Sequence, residues 1–156
     1  MSKSDSLNDG PWMTGKWSVD ERIKAIAAFL TVFTASGFNF GEWISGPEKD
    51  GITQMPWFSL GRDAQAFYKA AYDYGWVQNF AWMEWRQTPE AIALRDQPDI
   101  LAGADPQQLA NLLTALIRAD RFCEGSLASD FESGLLTRII ARASALCNLS
   151  SDEPVQ

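Results

Sequence analysis

Histidine is absent from the 156 residues. That omission excludes catalytic triads and dyads with an imidazole base, histidine-containing zinc sites and a histidine pH switch. Cysteine occurs only as Cys123 and Cys147, which form no close ligand pair, so no metal and no other cofactor is expected. No stretch approaches the ~18 to 20 uninterrupted apolar residues of a membrane span, and no membrane association is expected. Positive charge is scarce, with 13 Lys and Arg against 20 Asp and Glu and a net charge of −7. Affinity for phosphate backbones comes from clustered cations, and here they are scattered and outnumbered, so nucleic acid is not an expected partner. The acidic excess is spread along the chain as well, without the dense stripe of a DNA mimic, and reads as solubilising surface charge.

With 46% apolar and 21% charged residues, the chain has the balance of one soluble globular domain. A domain of this length buries roughly 70% of the surface its unfolded chain exposes, enough to fold without metal or disulfide. Residues 1–16 carry Ser, Asp, Asn, Gly and Pro with no apolar signal core, and read as a flexible N-terminal arm of a cytoplasmic protein. Residues 17–147 read as a single globular domain and residues 148–156 as a disordered tail. In this setting the two cysteines are reduced thiols, Cys147 on an apolar helical face and Cys123 at a helix end.

The pattern is mainly α. Ser18 and Glu21 have the spacing of a capping box, and Val19, Ile23, Ile26, Leu30 and Phe33 recur at three and four, predicting a helix to about Thr34. From Phe38 to Ser59 the helical period vanishes. The Gly46–Gly51 turn region then predicts a small β-hairpin or extended region, with Pro56 favouring an edge position. A second helix opens at Ser59 or Gly61 and ends at Gly75, a left-handed terminator. Thr88-Pro89 begins a short helix to about Asp96. Asp105-Pro106-Gln107-Gln108 begins a strong amphipathic helix to about Phe122. A last long helix follows Gly125, with Leu127, Phe131, Leu135, Ile139, Ala143 and Leu146 on one face and Gly134 tolerated inside it. The expected architecture is therefore about five helices with a C-terminal helical hairpin over 105–147.

Two regions stand out chemically. The turn between the last two helices gathers Arg118, Asp120, Arg121 and Glu124 in an otherwise apolar region. Its ordinary reading is a salt-bridged helix turn, and its sharper reading is an anion-recognising corner with Arg121 as the fork and Glu124 orienting it. The second region is the passage from Gly75 to Trp85, where Trp76, Trp82 and Trp85 lie within ten residues and Trp82 and Trp85 stand at i, i+3. Such spacing usually means core packing, and otherwise a stacking shelf. Trp12, Trp17, Trp43 and Trp57 add more indole than a core of this size needs, so some tryptophans should reach a binding surface. Ser59, Ser126, Ser129 and Ser133 sit in no nucleophile elbow and have no imidazole to activate them, and no phosphate-binding glycine loop is present, so no catalytic residue is assigned.

The segments Trp17–Arg22, Met55–Leu60, Gly75–Trp85 and Asp120–Leu127 together resemble a bacterial family of domains of unknown function over about residues 17–147. The resemblance implies no activity, substrate or catalytic residue. The leading functional expectation is a non-enzymatic cytosolic protein-binding module, for instance an inhibitor of a larger bacterial or phage defence-related complex. The alternative is a small-ligand domain or hydrolase walled by Trp76, Trp82 and Trp85, with Arg121 and Glu124 as its polar corner.

Overall fold

The computed structural model describes residues 17–151 other than 47, 49, 53 and 54. The expected arm, 1–16, lies outside the described residues, as do 152–156 of the tail. The first helical stretch runs as α1 (Val19–Ala27) and α2 (Phe29–Phe33), separated only by Ala28. The Ser18 hydroxyl accepts from the Glu21 amide at 3.1 Å, and the Glu21 carboxylate accepts from the Ser18 amide at 3.1 Å, so the expected capping box is formed. Strand β1 (Gly41–Ile44) pairs antiparallel with β2 (Trp57–Leu60), Trp43 opposite Phe58 and Ile44 opposite Trp57. The strands are shorter than the alternation suggests. Phe38 and Phe40 stand just before β1 and join an aromatic cluster around Phe33, which also meets Phe29, Phe67 and Phe131 at ring-centroid distances of 5.0 to 5.8 Å.

Helix α3 (Arg62–Asp73) ends before Gly75, at φ +76° the left-handed terminator expected there. The one-turn α4 (Trp82–Trp85), α5 (Pro89–Asp96) and α6 (Pro98–Leu101) then lead into α7 (Pro106–Phe122), with Thr88 and Asp105 capping α5 and α7 as their sequences predict. Beyond α7 the structure departs from a single long helix. The chain forms α8 (Ser126–Glu132), turns at Ser133-Gly134, and continues as α9 (Leu135–Ser151). Gly134 has φ +90°, a conformation that ends a helix at little cost only for glycine; instead of being tolerated inside a helix, it redirects the chain. The break lets α9 pack most extensively on α1 and also touch α2, α6, α7 and α8. Residues 148–151 are helical where a tail is expected, because no glycine or proline interrupts Asn148-Leu149-Ser150-Ser151.

The core gathers Ile23, Ile26, Phe67, Leu109, Leu113, Ile117, Leu136 and Ile139 from α1, α3, α7 and α9. A polar knot within it holds the turn after α3 against α7: the fully buried Thr114 hydroxyl accepts from the Gln78 amide at 3.0 Å and lies 3.0 Å from the Trp76 carbonyl. Among the described residues no helix is long and apolar enough to cross a membrane.

Candidate functional site

The turn between α7 and α8 is polar, as its sequence says, but its charges do not pair with one another. Asp120 accepts from the Leu127 amide at 2.9 Å, satisfying an otherwise orphaned donor at the start of α8. Its other oxygen meets the Tyr68 hydroxyl at 3.4 Å, and that hydroxyl also reaches the Ile117 carbonyl at 3.2 Å. Burial, then the Asp120 charge, holds the Tyr68 phenol well above the usual range, so it remains a donor. Arg121 is exposed, with its guanidinium 5.7 Å from the Tyr72 ring centroid. Arg118 is half-buried, and its Nε has no hydrogen-bond partner. Glu124 accepts from the Phe58 amide of β2 at 2.6 Å. The expected salt-bridged turn is thus replaced by contacts to other elements, because the partners within reach are backbone amides and aromatic rings. An Arg121 fork oriented by Glu124 is not assembled.

The Glu124 contact fastens the turn to the hairpin. In an antiparallel ladder alternate residues direct their amides away from the partner strand, and Phe58 uses its outward amide on Glu124 while the Leu60 carbonyl accepts from Gln65 at 2.8 Å. The Trp43 indole lies over Gly125, where a methyl group would stand 2.5 Å from Cζ2. The hairpin so held leaves large apolar side chains in solvent: Trp43 is 54% exposed on one face and Trp57 42% on the other, with Met55 86% exposed in the connecting segment. Ile52 and, at the end of α7, Phe122 are exposed too.

The three tryptophans of the 75–85 passage separate. Trp76 is fully buried and donates from Nε1 to the Arg22 carbonyl at 2.8 Å, so it belongs to the core and walls no surface pocket. Trp82 faces Phe122, ring centroids 6.1 Å apart, with the Arg86 guanidinium 5.8 Å from its own ring. Trp85 turns elsewhere, donating to Glu90 at 3.1 Å and lining a cavity of about 160 Å3. The i, i+3 spacing therefore does not yield one shelf.

That cavity is where aromatic and charged groups do converge. Trp85 and Arg86 come from the end of α4, Arg95 from α5, Ala115 and Ala119 from α7, and Ser126 and Asp130 from α8. Asp130 Oδ2 is buried with no hydrogen-bond partner, and burial, helped by the Asp120 charge, raises its carboxyl to about 6. Arg95 is held by Asp96 at 2.8 and 3.0 Å. Sequence reasoning did not single out Arg86, Arg95 or Asp130. The available signal was a carboxylate set among Leu127, Ala128 and Phe131 on a helix too short to have a fully solvated face. Of the four tryptophans counted as surplus, Trp43 and Trp57 are exposed, Trp17 is half-buried and Trp12 lies outside the described residues.

A family model matches residues 18–148, that of the family of unknown function DUF6508. No curated protein and no solved structure matches the chain.

Proposed function

Since the chain belongs to the DUF6508 family, whose function is unknown, its role is read from its own surfaces, and we propose that it is a non-enzymatic protein-binding module acting through the hairpin clamped on the α7–α8 turn. The observation that carries this reading is the exposure of Trp43, Trp57 and Met55 on a ribbon fixed by Glu124 and Gly125. Large aromatic side chains on a fixed support lose little entropy on binding and are typical anchors of protein interfaces. Segment 41–60 contains Glu42, Glu48 and Asp50 against Lys49, within a chain of net charge −7. The partner that fits is a protein with an apolar cleft rimmed by Lys and Arg, which the hairpin enters with an indole on each face. A binder of this kind acts by occupying its partner's surface, as an inhibitor of a larger assembly does.

The test is affinity capture from the native cell extract with the wild-type chain and with a Trp57→Ser, Met55→Ser double variant. Neither side chain is one of the groups that hold the clamp, which are Glu124, the Phe58 amide, Gly125 and Trp43, so the variant should melt close to the wild type. Proteins enriched by the wild type and lost by the variant, then bound with the same difference when purified, are the expected result. Capture of the same proteins by both chains, or of none by the wild type, refutes the reading.

A further inference from the structure

The cavity bounded by α4, α5, α7 and α8 lies apart from the hairpin and carries chemistry that protein docking leaves unused. We infer that it is a binding site for a small zwitterion, a short hydrocarbon with an ammonium group at one end, taken by Asp130, and a carboxylate at the other, taken by Arg86 and Arg95. The space exists because Ala91, Ala115 and Ala119 stand where larger residues would fill it. Its volume of about 160 Å3 equals roughly five water volumes, room for a molecule of several heavy atoms.

The charged groups define the occupant. Asp130 Oδ2 is buried and without a donor, an arrangement that costs stability until a donor arrives. A simple anion is opposed there by Asp130, and by Asp120, whose charge is felt at the same carboxyl. A simple cation is opposed by Arg95, whose charge is felt at the same carboxyl, and leaves the Arg86 guanidinium of the lining unanswered. Arg86 makes no ion pair among the described residues, and Arg95 engages Asp96 through Nε and one terminal nitrogen, leaving the other terminal nitrogen. A guanidinium has five donors and suits a carboxylate. In the same lining, Leu112, Ala115, Leu116 and Trp85 offer an apolar wall to methylene groups. A molecule with both charges answers the carboxylate and the guanidiniums together. An arriving ammonium also favours the ionised form of Asp130, so binding tightens as pH rises through about 6, the value to which that carboxyl is raised.

The experiment is a heteronuclear NMR titration of the full chain with glycine, β-alanine, γ-aminobutyrate and δ-aminovalerate, following the Trp85 indole N–H. Butylamine and butyrate, each with one of the two charges, are run beside them. One chain length should bind best and saturably, with both single-charge compounds weaker by about tenfold or more. Asp130→Asn should lose binding by a similar factor while its melting temperature at neutral pH does not fall, which separates loss of the site from loss of the fold. Absence of saturable shifts with all four zwitterions overturns the proposal. So does butylamine or butyrate binding as well as the best zwitterion, or unchanged binding by Asp130→Asn.

Discussion

Replacing Asp130 with asparagine should stabilise the protein at neutral pH and leave it unchanged in acid. The carboxyl is raised from 3.8 to about 6, first by burial and then by the Asp120 charge, with Arg95 partly offsetting. Below about pH 3.8 the carboxyl is protonated in both folded and unfolded chains and contributes no difference. Between that value and about 6 the folded state retains a proton that the unfolded chain releases, so stability falls as pH rises through the window and stays at the lower level above it. A shift of roughly two units corresponds to about 3 kcal/mol. Because Asp130 is only half-buried, solvent screening reduces this to about 1 to 2 kcal/mol. Asparagine keeps the shape and removes the charge. Urea unfolding of both chains at pH 4 and pH 7.5 should show curves that nearly coincide in acid and a higher midpoint for Asp130→Asn at pH 7.5. A variant less stable at pH 7.5, or one differing from wild type equally at both pH values, would refute the reasoning.

Thr114→Val keeps the shape of the buried side chain but leaves the Gln78 amide without its acceptor, and should cost about 1 to 3 kcal/mol in chemical denaturation with the fold unchanged. Gly125→Ala places a methyl group against the Trp43 ring on a backbone at φ +88°. It should lower stability by about 1 to 3 kcal/mol and displace the indole, read as a shift of the Trp43 indole N–H resonance in a heteronuclear NMR spectrum. Arg121→Ala removes a cation–π contact with Tyr72 and a charge felt at Tyr68. It should change stability by at most about 1 kcal/mol and leave partner capture intact; loss of capture would return the anion-recognising corner to consideration.

What the sequence discloses is what is decided locally. The Ser18–Glu21 and Asp105–Gln108 boxes form as spaced, because each involves donors and acceptors three residues apart. The left-handed turn at Gly75 was legible because the helical period stops there as well. Gly134 was not, since the apolar face continues through it and only packing of α9 on α1 decides between a weakened helix and a break. The turn charges illustrate the same limit. Asp120, Arg121 and Glu124 are neighbours in sequence, yet Glu124 answers an amide 66 residues away and Asp120 a hydroxyl 52 residues away. Periodicity cannot name such partners. It also could not place Arg86 and Arg95 around the cavity that Trp85 lines.

Asp120 and Asp130 stand on the same corner of the fold and answer different demands. Asp120 is fully engaged: it satisfies the start of α8 and receives the Tyr68 hydroxyl, so its removal would strand a backbone donor. Asp130 satisfies no donor through its buried oxygen, and the Asp120 charge works against its ionisation. Stability alone would favour asparagine or alanine at 130, because either keeps α8 and removes the desolvated carboxylate. A carboxyl held at such a cost in a cavity also lined by Arg86, Arg95 and Trp85 is the arrangement expected of a group kept for what it binds. The same argument does not extend to Glu124, whose carboxylate already has its donor in the hairpin. The two acids of the turn therefore build the scaffold, and Asp130, ten residues beyond Asp120, is the one whose removal should change binding while improving the fold.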